Sequence, residues 1–158
     1  MQILDLNMDA FDVCSEALNR QFDELTEEAK RLAASFLDVG SGRKVLIPIM
    51  ITVSQDKRHR STSIRWSKVR PASARSSRRV IVTHIAKGQN KDKYSPSAFR
   101  FLEPDVRARV AHYEKMLSVI RFSLRRNREA HKHLANTRIS VEYRTAALDL
   151  GFPEGVGS

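Results

Sequence analysis

The sequence predicts an α+β fold, in which two long helices pack with a small three-stranded antiparallel sheet. Three observations predict it: a heptad-spaced apolar series near the N-terminus, a second series of the same spacing in the C-terminal half, and three β-branched segments between the two. Helices that are segregated from a small sheet along the chain are typical of the α+β class. The 158 residues suffice for one domain, which we expect to span residues 1–150, followed by a flexible tail at 151–158.

The first predicted element is a long amphipathic helix at residues 4–37. Apolar residues recur there at alternating spacings of four and three, and only Ser15 interrupts the series. No Gly or Pro occurs before Gly40, which supplies a stop signal. Because helical apolar stripes usually face their own core, we expect this seam to pack within the domain. A homodimer formed through the Leu4–Phe36 seam is the alternative.

Three strands are predicted in the middle of the chain, near residues 45–53, 61–69 and 79–85. The first is β-branched and apolar, but Pro48 cannot donate to a ladder and indicates an edge or a bulge. The second alternates, with Ile64 and Trp66 on one face. Short links between consecutive strands favour an antiparallel meander. Pro, Ser and Arg dominate residues 70–78, where we expect a mobile, solvated loop.

A second long helix is predicted near residues 104–134. Pro104 is a favoured first helical residue, and Asp105 follows at the positive end of the helix dipole. The apolar seam consists of Val106, Val110, Tyr113, Leu117, Ile120 and Leu124. Asn136 and Thr137 allow a break, after which residues 139–150 form a short C-terminal helix.

The charge is distributed unevenly along the chain. The formal net charge of +10 combines residues 1–40, with three basic and nine acidic residues (−6), and residues 41–158, with 25 basic and nine acidic residues (+16). Such asymmetry points to a polyanionic partner for the basic part. It leaves the acidic part for self-packing or for a protein partner.

Two clusters concentrate the positive charge. Residues 57–79 contain nine basic residues and no acidic one, and Arg outnumbers Lys, which favours bidentate contact with phosphate. In the second cluster, basic residues spaced by four, three and four lie along what we expect to be the exposed end of the second helix, beside Arg126 and Asn127, which can read base edges. The alternatives are a solvated basic surface and pairing with the acidic first helix. The residues expected to bind nucleic acid are Lys57, Arg58, Arg60, Arg70, Arg75, Arg78, Arg79, Arg121, Arg125, Asn127, Arg128 and Lys132.

The candidate catalytic residues do not form a constellation. His131 and His133 are two positions apart on a predicted helix and point about 200° from each other, which makes a poor chelate. His84 fits a surface or hydrogen-bonded strand residue better than a general base, and Cys14 fits a packing residue. We therefore expect no catalytic residue, no metal and no cofactor.

Two further expectations concern the aromatic residues and the compartment. Trp66 is expected in the core, whereas for Tyr94 both core packing and stacking on an unpaired base stay open. One cysteine suits a reducing compartment, and no apolar run reaches the 18 residues of a membrane span. A cytoplasmic protein with no membrane partner is the expectation.

The middle of the chain resembles the MobI-type conjugative transfer proteins over about 60 residues, from Ser63 to Phe122. The residues that carry the resemblance are Ser63, Ile64, Trp66, His84, Ile85, Lys87, Gly88, Tyr94, Phe99, Glu114, Ile120 and Arg121. The family accompanies mobile plasmids and integrative conjugative elements in bacteria. The resemblance implies an accessory factor that acts at the origin of transfer with a separate relaxase and does not itself nick DNA.

The preferred interpretation is a DNA-binding accessory protein that recognises duplex DNA near a transfer origin and helps to assemble the relaxase complex. The main alternative is a small metal-independent endoribonuclease of the toxin type, in which His84 or Tyr94 polarises the scissile phosphate. An RNA-binding or transcription regulatory protein stays open, as does an adaptor that dimerises through its first helix.

Overall fold

The computed structural model describes residues 2–41, 47–75 and 79–150, with side chains described for residues 8–38, 47–75 and 79–148. The elements, in order, are α1 (Gln2–Ser41), β1 (Ile49–Asp56), β2 (Ser61–Pro71), β3 (Val80–His84), a short 3₁₀ helix (Pro96–Phe99) and α2 (Pro104–Leu150). Two long helices and one antiparallel sheet confirm the predicted α+β class. The expected tail at 151–158 lies outside the described residues.

β2 is the central strand of the sheet. It pairs antiparallel with β1 on one side, where Thr52 lies opposite Arg65, and with β3 on the other, where His84 lies opposite Ser67. The meander expected from the short links is confirmed. Because strand residues alternate between faces, one side of β2 packs on the core and the other forms the outer face of the sheet.

β1 ends three residues beyond the strand predicted near 45–53, whereas positions 45 and 46 of that prediction lie outside the described residues. Pro48 precedes the strand, and its carbonyl accepts a hydrogen bond of 2.9 Å from the backbone N–H of Val69. The strand then continues through the polar residues 54–56, which pair with residues 61–63 of β2. The apolar pattern missed this end because cross-strand pairing, and not burial, holds it in the sheet.

The turn between β1 and β2 comprises residues 57–60. Arg60 has a positive φ of 48°, which closes the turn. The carboxylate of Asp56 accepts a hydrogen bond of 3.1 Å from the backbone N–H of His59, and its other oxygen lies 2.7 Å from the His59 ring. These bonds lower the pKa of Asp56. The turn leaves Lys57 and Arg58 exposed.

β2 extends further than the sequence predicted. Arg70 and Pro71, placed by the sequence in a mobile loop, belong to the strand and pair with residues 81 and 80 of β3. The backbone N–H of Ala72 donates to the carbonyl of Arg79, which continues the hairpin. The pairing with β3 overrides the loop-forming composition. Residues 76–78 lie outside the described part.

α2 is one continuous helix, so the expected break at Asn136 and Thr137 is wrong. The Thr137 hydroxyl donates to the carbonyl of His133, and Ser140 donates in the same way to Asn136. These polar side chains are thus accommodated along the helix. No Gly or Pro occurs from Asp105 to residue 150, so nothing interrupts the backbone ladder.

Contacts divide the chain into two compact units, residues 1–21 with 126–158 and residues 22–125. The core cluster belongs to the second unit. It consists of Phe22, Ala29, Phe36, Ile49, Ile51, Ile64, Trp66, Tyr94, Phe99, Leu102, Val110, Tyr113, Leu117, Ile120 and Leu124. The fully buried Trp66 ring meets Phe36 and Phe99 edge-on, with centroids 5.2 and 5.7 Å away. The predicted core position of Trp66 is confirmed.

The seam of α1 is buried within the chain from its middle onward. Phe22, Ala29 and Phe36 belong to the core of the second unit, as expected for intramolecular packing. Those three residues are therefore occupied and do not offer a dimer seam. Cys14, expected to pack, is exposed, because it stands one position away from the seam.

In the first unit, α1 runs antiparallel to α2. The side-chain amide of Asn127 donates to the Leu18 carbonyl at 2.9 Å, and Arg138 forms an ion pair of 2.6 Å with Asp12. Part of the acidic surface of the first helix is therefore paired with a cation of the second. No helix in the described part of the chain is both long and apolar enough to span a bilayer.

Candidate nucleic-acid interface and the buried polar cluster

A buried polar cluster lies where β2, the loop before the 3₁₀ helix and α2 meet. Its centre is the Glu114 carboxylate, whose side chain is 12% exposed. One oxygen accepts from the indole Nε1–H of Trp66 at 2.7 Å, and the other accepts from the backbone N–H of Tyr94 at 2.9 Å. We call Trp66, Asp92, Tyr94, Glu114 and Arg121 the buried polar cluster.

Arg121 completes the cluster and is not a surface residue. Its guanidinium contacts both oxygens of Glu114, at 2.9 and 3.0 Å, and also donates to the carbonyls of Ile64 and Asp92. Only 5% of its side chain is exposed. The expectation that Arg121 lies on the exposed end of the helix is wrong, because its donors are used inside the protein.

Tyr94 and Asp92 also have defined internal roles. The Tyr94 hydroxyl accepts a hydrogen bond of 3.3 Å from the backbone N–H of Trp66, and burial raises the pKa of Tyr94. Tyr94 is thus a core residue and not a stacking platform. The Asp92 carboxylate pairs with Arg125 at 2.7 Å, and this hydrogen bond lowers the pKa of Asp92.

Five of the twelve residues that carry the MobI-type resemblance meet in this cluster. Ile64 supplies a carbonyl, while Trp66, Tyr94, Glu114 and Arg121 supply the remaining groups. The sequence pattern alone does not assign Glu114 to a site. Its seven-residue distance from Arg121, two helical turns beside the apolar seam, is the signal that could have indicated the pair.

The cations on the sheet and its turns are exposed, in contrast to Arg121. We call this set the sheet cations; its members are Lys57, Arg58, Arg65, Lys68, Arg70, Arg75 and Arg79. In the described residues none of them forms an ion pair with a carboxylate. Lys68 Nζ lies 4.3 Å from the centroid of the Phe101 ring, which attracts the ammonium group but does not neutralise its charge.

Two predicted members of this basic segment differ from the rest. Arg60 is only partly exposed, and its guanidinium lies 5.6 Å from the centroid of the Phe22 ring. Arg78 lies outside the described residues. The set of sheet cations therefore excludes Arg60 and Arg78. It includes Arg65 and Lys68, which belong to the basic segment of residues 57–79 but were not among the residues predicted to bind nucleic acid.

The helix cations, defined as Arg121, Arg125, Arg126, Arg128 and Lys132, differ from one another in exposure. Arg125 is 36% exposed and paired with Asp92, and Arg126 forms a surface pair with Glu129 at 2.8 Å. Arg128 and Lys132 are exposed.

Asn127, expected beside the helix cations as a reader of bases, is 4% exposed. Its amide donates to the Leu18 carbonyl and to Gln21 Oε1. The exposed position expected of this residue is therefore wrong, because its donors face α1, and its role in binding DNA stays a prediction.

Two of the histidines that the sequence singled out, His84 and His131, have hydrogen-bonding partners. The His84 Nδ1 atom lies 2.8 Å from the hydroxyl of Ser67, and His131 Nε2 lies 3.0 Å from Asn19 Oδ1. The described residues contain no group of three or more His, Cys, Asp or Glu side chains arranged to hold a metal ion.

A groove of about 740 Å³ runs beside the first turns of α2 in the second unit. Its apolar lining includes Tyr94, Phe99, Pro104, Ala108, Ala111 and Val119. Lys93, Arg107 and Lys115 also line it, whereas its one carboxylate, Glu114, is bonded within the buried polar cluster. The groove is therefore apolar with a positive border.

Comparison with known families places most of the chain in a described family. The family model described as MobI protein matches residues 23–135, which is more than half of the chain. The match covers the whole sheet and the buried polar cluster. Neither a curated protein nor a solved structure matches the chain.

Proposed function

The chain belongs to the MobI family of conjugative mobilization proteins, and from this premise we propose that it is a DNA-binding accessory factor. It contacts duplex DNA near the origin of transfer and helps to assemble the complex in which a separate relaxase acts. The sheet cations supply the primary contacts to DNA. In this proposal the protein positions DNA and does not cleave it.

One observation carries the proposal: seven exposed cations surround a three-stranded sheet without a carboxylate partner in the described residues. Like charges at this density repel each other, and a polyanion removes that repulsion. Five of the seven are Arg, whose planar guanidinium binds phosphate oxygens in pairs. Duplex DNA presents phosphates in the regular array that such a surface can contact.

The first experiment measures affinity for a duplex from the noncoding DNA of the element that encodes this protein. A random duplex of equal length is the control, and footprinting locates the contact. If about six cations contact phosphate, log K should fall with log[salt] at a slope near −5. A slope near zero would contradict binding through the sheet cations. Equal protection of both duplexes would contradict specific recognition of the origin of transfer.

The second experiment compares two variants that lose the same charge. Arg58, Arg75 and Arg79 are replaced by Gln in one, and Arg126, Arg128 and Lys132 are replaced by Gln in the other. The sheet variant should lose about 2.7 from the magnitude of the salt slope, because each phosphate contact contributes about 0.9. The helix variant should change it much less. An equal or greater loss in the helix variant would contradict the assignment of the sheet.

The endoribonuclease alternative has less support, because Tyr94 is buried and its hydroxyl is bonded to a backbone N–H. His84 is exposed and is the remaining candidate group. Incubation with structured and single-stranded RNA tests the alternative. Cleavage that disappears in His84→Ala would favour it over an accessory role.

The apolar groove supports a second part of the proposal, contact with a protein of the transfer complex. Its positive border favours a partner segment that combines apolar and acidic side chains. Ala111→Glu places a carboxylate on the groove and should abolish co-purification of the relaxase encoded with this protein, while DNA affinity is retained. Unchanged co-purification would exclude the groove as the contact.

A further inference from the structure

A small pocket opens on the outer face of the sheet, in the second unit. It has a volume of about 160 Å³ and is lined by Thr52, Ser54, Ser63, Arg65 and His84. The register explains this grouping, because Thr52 lies opposite Arg65 and Ser54 lies opposite Ser63. All three strands contribute, so the rigid sheet, and not a loop, sets the spacing of the polar groups.

The lining of the pocket has the chemistry of an anion site. Three hydroxyls, a guanidinium and an imidazole face it, and no carboxylate lines it. The Nε–H of Arg65 donates to the Ser63 hydroxyl at 2.8 Å. This bond orients the guanidinium and leaves its two terminal nitrogens without a carboxylate partner in the described residues. A guanidinium held in this way presents a pair of N–H donors to an oxyanion.

A buried serine supports the pocket from below. Ser67 has no exposed surface, and its hydroxyl lies 2.9 Å from Thr52 Oγ1 and 2.8 Å from His84 Nδ1. The three side chains therefore form one hydrogen-bonded row across β1, β2 and β3. Because Nδ1 of His84 is used by Ser67, the ring is fixed through that atom and its Nε2 atom is left for a ligand.

We propose that this pocket binds a phosphate group of the nucleic-acid backbone. The inference rests on the proposed function, because that function identifies DNA as the source of the phosphate. It adds a defined phosphate subsite to a set of cations otherwise described only by their charge. Arg65 supplies the charge and the paired donors, the hydroxyls of Ser54 and Ser63 supply single donors, and His84 closes the site. Backbone contacts of this kind position a protein on DNA without reading its sequence.

The test compares Arg65→Gln with Lys68→Gln. Both variants remove one positive charge from β2, but Lys68 is on the opposite face of the strand, against Phe101. Arg65→Gln should weaken duplex DNA binding about ten- to hundredfold, because it removes charged hydrogen bonds as well as charge. Lys68→Gln should weaken it only a few-fold. Equal losses in the two variants would overturn the pocket while leaving the DNA-binding proposal intact.

A second measurement keeps the two proposals distinguishable. Inorganic phosphate is titrated into the intact protein and followed by the imidazole resonances of His84 in NMR spectra. A saturable shift that is absent in Arg65→Gln supports the pocket, and the absence of any shift in the wild type overturns it. If phosphate binds but neither DNA nor RNA does, the pocket holds and the proposed function fails.

Discussion

The sheet cations and the helix cations are similar in composition, but Arg121 and Arg125 among the helix cations have surroundings that the sheet cations lack. Those of the sheet are exposed and have no carboxylate partner in the described residues, whereas Arg121 and Arg125 of α2 are paired with Glu114 and Asp92. A guanidinium whose donors are used inside the protein stabilises the fold and has little left for a ligand. Charge density along a sequence therefore indicates where cations are, and only their partners separate structural from binding roles.

The largest expected effect is a loss of stability when the paired cation Arg121 is replaced. Arg121→Met leaves the carboxylate of Glu114 buried without its cation, and the free energy of unfolding should fall by about 3–5 kcal/mol. Urea denaturation followed by circular dichroism measures it. Arg126→Met is the control, because its pair with Glu129 is exposed and should contribute less than about 1 kcal/mol. A loss below 1 kcal/mol for Arg121→Met would contradict the structural role.

The next effect concerns the indole donor of the buried polar cluster. Trp66→Phe removes the Nε1–H that Glu114 accepts, together with part of a fully buried ring, and should cost about 2–3 kcal/mol of unfolding free energy. Circular dichroism must report unfolding, because Trp66 is the only tryptophan. Combining Trp66→Phe with Glu114→Gln should cost less than the sum of the two single changes. If the losses in unfolding free energy simply added, the Trp66 indole and the Glu114 carboxylate would not interact energetically.

Asn127, near the middle of α2, tests the comparison in the first unit. Asn127→Ala should lower the unfolding free energy by about 1–2 kcal/mol, since it removes two hydrogen bonds to α1. Preference for one DNA sequence over another should be unchanged. Lys132→Ala, an exposed neighbour, is the control for stability. A relaxed sequence preference in Asn127→Ala would support the prediction that this residue reads bases.

A smaller effect is expected from pH. Because Arg125 lowers the pKa of Asp92 in the folded state, the pair stabilises the protein above the ordinary carboxyl value of 3.8. That contribution is lost as the pH falls through the lowered value. It should stay below about 1 kcal/mol, because Arg125 is still 36% exposed to solvent screening. The difference in unfolding free energy between wild type and Asp92→Asn should therefore be present at pH 6 and shrink towards pH 3.

The smallest expected stability change comes from the sheet cations themselves. Replacing Arg58 and Arg75 by Gln should alter the unfolding free energy by no more than about 0.5 kcal/mol, because both are exposed and unpaired in the described residues. The same variant should bind duplex DNA more weakly. If its stability fell by several kcal/mol instead, the distinction between the two sets of cations would be lost.

The sequence was sufficient for the elements that depend on apolar periodicity. The seam of α2 and the burial of Trp66 followed from spacing alone. Apolar residues spaced at the repeat of a helix or strand lie on one face of it, and burial of that face removes them from water. The position of β1 did not follow, since Pro48 delays the ladder and pairing with β2 holds its polar end. Periodicity reports burial and does not report hydrogen-bond pairing.

The candidate site was less accessible from sequence, for a different physical reason. Arg121 and Asn127 carry polar groups, and polarity alone predicts exposure. Whether such a group is buried depends on partners supplied by distant segments, as Glu114, Ile64 and Leu18 do here. The basic segment of residues 57–79 was visible in the sequence. That its exposed cations have no carboxylate partner in the described residues could be established only from the three-dimensional structure.

The exposure of Cys14 has a practical consequence. It is the only cysteine in the chain, and its thiol is accessible on α1. A maleimide fluorophore can therefore be attached at one defined position without removing any other thiol. Energy transfer from that dye to acceptors placed along a DNA duplex would report how far the first helix stands from each base pair, and hence the orientation of the bound protein.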